Sequence, residues 1–383
     1  GTYNKTAAGT TTLQVPFANA GTVNANAGMI AFSAGGSATG DSIFNVASGA
    51  GLTFSGGTYS VASGATFNTP GAVAVSGGSL SIAAGAVTLP NLTISGGILA
   101  GAGQAVISAL TMTSGALSIA SLTLTGSSSW NGGSWNSSAA STAVNSATGV
   151  FTISGAADHD YNFRAIANQG TVNWTGGRLR SGNGGSFVNS GVFNDSASST
   201  FNNDWGGASA TFTNASGGAY NKTTAGTTTF NIPFANAGPV NVTAGALLFN
   251  SGGSTSGVFN AGAGASVVFA STYSVADGAS LLGAGAYAAT AGTFTVNGAV
   301  NVSNFQVSGA TLAGTHTFNG GIIWNGGNLN SSGATTIASG STFTIAPNAA
   351  GNALLQCRAT HNSVARNKPR PHVPSGPLTA DAQ

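Results

Sequence analysis

The densest group of side chains able to do chemistry is Asp158, His159 and Asp160, with Arg164 four positions further on. Two carboxylates beside a basic residue could serve as general acid and base in cleaving a polysaccharide, and β-helix enzymes that act on uronates use carboxylates with a basic residue. That chemistry requires Asp158, Asp160 and Arg164 to converge in one groove. The same residues suit an Asp-rich turn, because Asp hydrogen-bonds its own backbone there. The turn reading is favoured, since the chain has only seven acidic residues and its second half holds no counterpart of the group. The oxygen ligands that would complete a metal site are missing from the sequence around it, and no residue pattern calls for a cofactor.

Arg178 and Arg180 flank Leu179, so strand alternation puts both on one face, expected to be solvent. They could grip an acidic glycan, although paired charges on a strand also discourage edge pairing. Among five tryptophans, Trp130, Trp174 and Trp324 each precede a polar residue and Gly-Gly, a slot filled elsewhere by Phe54, Val75, Ile94 and Phe318. A slot that accepts Val, Ile, Phe and Trp is an inward core position. Trp135 and Trp205 lie outside it and remain candidates for stacking on a sugar. Thr-rich segments (10–12, 227–229, 111–113, 123–125) could form a flat hydroxyl array of the ice-binding kind, or serve as ordinary outward β-formers, which is the favoured reading.

The elements that must carry these residues are short strands. Leu80-Ser-Ile82, Val87-Thr-Leu89, Leu92-Thr-Ile94, Leu117-Ser-Ile119 and Leu122-Thr-Leu124 alternate apolar and polar residues, and Gly-containing turns separate such segments. The chain reads as all-β. Its 60 glycines and 4% charged residues resemble a low-complexity composition, but the β-branched residues and strict alternation indicate folding. With so few charges, the surface must consist of Ser, Thr, Asn and Gly. The net charge of +2 comes largely from the last stretch, so no nucleic-acid-binding patch is expected, and no apolar run reaches membrane-helix length. One cysteine, Cys357, excludes an internal disulfide framework.

Repeats at two scales fix the architecture. Residues 3–36 and 220–253 share 22 of 34 positions at an offset of 220 − 3 = 217. The offset drifts to 214 at Tyr59/Tyr273 and 213 at Asn91/Asn304, then drops to 324 − 130 = 194 at Trp130/Trp324. The final step removes 213 − 194 = 19 residues, about one coil of a solenoid, which tolerates whole-coil loss because each coil contacts only its neighbours. Within the long repeat, Asn-x-Gly-x-x-Asn recurs at Asn19/Asn24, Asn168/Asn173, Asn189/Asn194 and Asn236/Asn241. If these fall at one corner of successive coils, their amides stack in a hydrogen-bonded ladder.

The predicted fold is a right-handed parallel β-helix, or β-solenoid, with coils of about 20–26 residues stacked roughly 4.8 Å apart. It is expected to run through residues 1–350, as a first long repeat (1–217) and a shortened second copy (218–350). Residues 351–383 read as a disordered, non-homologous tail: they hold Arg358, Arg366, Lys368 and Arg370 with four prolines. By the repeat offset Gly1 corresponds to Gly218, so a piece of a longer array is expected.

The recurrent Phe-x-Asn-x-Gly-Thr-Val-Asn, followed by x-x-Gly-x-Leu-x-Phe-x-Gly-Gly, as at 17–36 and 234–253, resembles the β-solenoid regions of bacterial secreted surface proteins. Filamentous-haemagglutinin-like adhesins and autotransporter passenger domains are the relatives it brings together. The resemblance implies an extracellular or cell-surface adhesive rod, with glycans, host or neighbouring cells and further coils of the same chain as partners. No catalytic residue can be carried over from the resemblance, and the charge and hydropathy above already argue against a nucleic-acid partner or a membrane span.

Overall fold

A computed structural model describes residues 1–329 and 333–346; the stretch from 351 to 383 lies outside the described residues. The chain is an all-β parallel β-solenoid of about 17 turns. Each turn contributes three short strands, and equivalent strands of successive turns pair in parallel to build three sheets around one core. Thr22–Ala25, Met29–Phe32 and Gly36–Ala38 form one such turn; Ile43–Val46, Gly51–Phe54 and Thr58–Val61 form the next, in register above them. Among the described residues, no helix is long and apolar enough to cross a membrane.

Alternation produces the core directly. In Thr171–Trp174, Val172 and Trp174 are buried while Thr171 and Asn173 reach the surface, and the same pattern recurs from turn to turn. Stacking then aligns like on like. Phe187, Phe212 and Phe234 lie nearly parallel with centroids 5.4 and 5.2 Å apart, close to the spacing between coils. Where loops shrink, the strands merge, as in Ala86–Ala100 and Gln104–Leu117. Coil length, read from strand register, spans 121 − 104 = 17 residues at Gln104/Ser121 to 230 − 201 = 29 at Phe201/Phe230, wider at both ends than expected.

The Gly-Gly pairs of the repeat have a steric reason. Gly253 sits at φ 144°, and an added Cβ would lie 2.0 Å from the Phe234 carbonyl oxygen of the coil below. Only glycine permits that corner.

The two long copies are rotated relative to each other about the solenoid axis. The sheet that begins with Thr10–Leu13 continues through ten pairings to Ala219–Lys222. The sequence counterpart of Thr10–Leu13 is Thr227–Phe230, one strand further along the chain and on the next sheet. The offset of 217 residues is therefore ten turns plus one strand. Trp130 and Trp324 show the same one-strand advance with one turn fewer, so the 19-residue contraction in the sequence removes a whole coil.

Candidate surface recognition site

Strands His159–Asp160, Leu179–Arg180 and Thr200–Asn202 stack on one sheet, with Asp160 paired to Arg180 and Arg180 to Asn202. The inward members, His159, Leu179 and Phe201, are fully buried. The outward members, with Asp158, Arg178 and Asp204, form an ion-pair network across three turns. Arg178 donates from Nε and Nη2 to the two oxygens of Asp158, at 2.8 and 2.6 Å. Arg180 makes the same fork with Asp160, at 2.7 and 2.9 Å, and its Nη1 lies 3.1 Å from Asp158. Asp204 is held more loosely, 3.7 Å from Arg178 and 3.9 Å from Arg180. Its place opposite both arginines, contributed by a loop one turn away, carries no signal in the sequence.

Hydrogen bonding by Arg178, reinforced by the charge of Arg180, holds the Asp158 carboxyl below the usual carboxylate range. The guanidinium groups of Arg178 and Arg180 are shifted up, chiefly by their hydrogen bonds to Asp158 and Asp160. His159 lies beneath the network with its ring edge-on to Trp130, and its Nε2 donates to the carbonyls of Trp130 and Ser154 at 3.1 and 3.0 Å. Burial lowers its pKa and favours the neutral ring.

The convergence required of Asp158, Asp160 and Arg164 is not found. Both carboxylates face outward and are occupied by Arg178 and Arg180, whereas Arg164 is fully buried on the core side. Its guanidinium donates to four backbone carbonyls: Trp135 at 2.8 Å, Thr142 at 3.1 Å, Leu117 at 3.1 Å and Ile119 at 3.0 Å. Burial lowers its pKa to about 10. Arg164 ties successive turns together where their carbonyls turn inward, a role that demands the five-donor fork of arginine.

Trp135 is corrected in the same way. It is fully buried, stacked on Trp130 at 4.6 Å and on Phe151 at 5.0 Å, with its indole N–H directed at Met112 Sδ, so it offers no face to a ligand. Trp130, Trp174 and Trp324 fill the core. Trp205 is different, with 44% of its surface exposed. Its loop is pinned: the Trp205 amide donates to Ser181 O at 3.1 Å, Asn183 Nδ2 donates to Trp205 O at 3.3 Å, and the Asn183 amide donates to Gly206 O at 2.7 Å. An added Cβ on Gly182 would lie 2.8 Å from the Trp205 Cβ, so this glycine leaves room for the loop.

Six of the eight motif asparagines fall in two ladders on either side of one corner. Asn145 donates to Asn168, Asn168 to Asn189, Asn189 to Asn214 and Asn214 to Asn236, at 2.7 to 2.9 Å, in a buried row that ends on Thr255. A half-exposed row runs in the opposite sense, from Asn241 to Asn221 to Asn194 to Asn173, at 2.9 to 3.0 Å. Asn24 belongs to a third, with Asn4, Asn45 and Asn68. Asn19 joins none: its register partner is Ala38, its Oδ1 accepts the Gly21 amide, and its Nδ2 has no partner.

The Thr-rich segments are spread over the three sheets. Thr10–Leu13 and residues 111–113 share one, Ser121–Leu124 lies on a second and Thr227–Phe230 on the third. The rotation of the second copy separates segments that look equivalent in sequence. Among the described residues, no group of three His, Cys, Asp or Glu side chains could hold a metal ion. Comparison with protein-family models, with curated proteins and with solved structures finds no match to this chain.

Proposed function

We propose that the chain is a non-enzymatic structural or adhesive rod, acting outside a bacterial cell or at its surface as part of an adhesin-like protein. The observation that carries this reading is the unbroken stack of about 17 turns on one continuous core. A rod of this kind displays side chains at intervals of about 4.8 Å, a geometry suited to many weak contacts acting together. Its outer rows are mainly Asn, Thr and Ser, which hydrogen-bond to hydroxyl-rich partners at little cost in desolvation. The pairing of Asp158 and Asp160 with arginines also favours a binding role over acid–base catalysis, because both oxygens of each carboxylate are already engaged by a guanidinium fork.

Binding to glycan-coated surfaces and to intact cells, followed alongside turnover of polyuronate and neutral glycans, tests the proposal. Retention on a glycan or cell surface without turnover is expected. Turnover abolished by Asp158→Ala with Asp160→Ala would replace the reading with polysaccharide cleavage.

A further inference from the structure

We infer that Trp205, with Asp204 and Arg178, forms a binding site for a neutral pyranose; the inference rests on the adhesive reading and assigns it a point of contact. Trp205 is the one exposed indole of the five tryptophans, the other four being buried to 1% exposure or less. Its backbone is fixed by hydrogen bonds from both sides, so the exposed indole projects from a loop that is ordered before any ligand arrives. A sugar ring offers a face of C–H bonds to such a platform and a rim of hydroxyls to polar neighbours.

Polar groups are available from the adjoining ion-pair network, which Asp204 links to Trp205 along the chain. Asp204, adjacent to Trp205 in the chain, and Arg178 are the most exposed members of the ion-pair network, with 38% and 45% of their side chains accessible. Their mutual contact of 3.7 Å is loose, which leaves Asp204 able to accept from one hydroxyl and Arg178 Nη1 able to donate to another. The network also selects against acidic sugars. Its two guanidiniums already fork onto Asp158 and Asp160, and its three carboxylates outnumber them, so a uronate or sialate would meet net negative charge.

The test uses intrinsic fluorescence and indole N–H resonances of the purified chain. It is titrated with cellohexaose, laminarihexaose, mannohexaose and chitohexaose as neutral probes, and with oligogalacturonate as the acidic probe. At least one neutral probe is expected to perturb the Trp205 signal. Affinity should fall at least about tenfold in Trp205→Ala and severalfold in Asp204→Asn, and be unchanged in Val258→Ala, an exposed residue on a distant turn. Circular dichroism of each variant separates loss of site from loss of fold. Glycan binding that survives Trp205→Ala, or that favours oligogalacturonate, overturns this site and leaves the adhesive reading standing. Absence of binding to these probes, with glycan-surface and cell binding intact, likewise overturns the site alone, whereas loss of all surface binding overturns both.

Discussion

Asp195 and Lys222 are register partners on adjacent turns, and both side chains occupy slots that point into the core. The turns on either side fill the same slot with Trp174 and Val242. Each polar head is satisfied locally: the Asp195 carboxylate accepts the Tyr220 hydroxyl at 2.7 Å and the Ala197 amide at 3.1 Å. Lys222 Nζ donates to Thr224 O at 2.9 Å, and to Thr224 Oγ1 and Ser198 Oγ, both at 3.0 Å. Two charges thus interrupt an aromatic and aliphatic column without leaving a bare ion.

Stability should depend on pH through Asp195. Burial raises its carboxyl pKa in the folded chain, so the folded state holds this proton more tightly than the unfolded state does. The associated stabilisation is complete below the unfolded carboxyl value and is lost as pH rises through the raised folded value. Denaturation measured from pH 3 to 8 at constant ionic strength should show the wild type losing stability relative to Asp195→Asn across that rise. A pH-independent difference would contradict it. Tyr220→Phe, which removes a buried donor, should cost about 1–3 kcal/mol.

The two Asn ladders should differ in weight. Asn189 is fully buried, accepts from Asn168, and donates to Asn214 at 2.8 Å and to the Ala219 carbonyl at 3.0 Å. Asn189→Ala leaves partners unsatisfied away from water and should cost about 2–3 kcal/mol, against under about 1 kcal/mol for Asn194→Ala in the half-exposed row. Guanidinium denaturation of the two variants compares them directly.

Arg164→Lys should behave as a loss rather than a conservative change. A lysine ammonium has three donors and no planar fork, so it cannot serve the four carbonyls that Arg164 reaches. Destabilisation of about 3 kcal/mol or more is expected for Lys and for Met at this position. A variant with Lys as stable as the wild type in thermal unfolding would refute the role.

The exposed ion pairs should matter far less to folding. Asp158 has its pKa lowered by Arg178, so its stabilisation is present above the unfolded carboxyl value and is lost as pH falls through the lowered folded value. Because the pair is exposed and screened, Asp158→Asn should cost less than about 1 kcal/mol, and less still in high salt.

Gly182→Ala should move the Trp205 loop. The added methyl would meet the Gly206 carbonyl oxygen at 2.7 Å and the Trp205 Cβ at 2.8 Å, so the hydrogen bonds that pin this surface loop would have to give. A change in Trp205 emission with little change in melting temperature is the expected result.

The coil is legible in the residues alone. Period-two alternation dictated which residues face inward, the Gly-Gly corners dictated where the chain turns, and the 19-residue contraction dictated whole-coil stacking, because all three are local rules of strand and turn geometry. The residues alone did not disclose the third of a turn by which the second copy is rotated, since that depends on counting strands around the axis. Arg164 and Asp160 are equally polar in the sequence, and only the stacked turns placed one in the core on four carbonyls and the other outside on Arg180. Trp135 and Trp205 were likewise indistinguishable until stacking buried the first against Trp130 and a pinned loop exposed the second. Contacts between turns are made by residues about 20 to 25 positions apart, so their partners emerge once the turns have stacked.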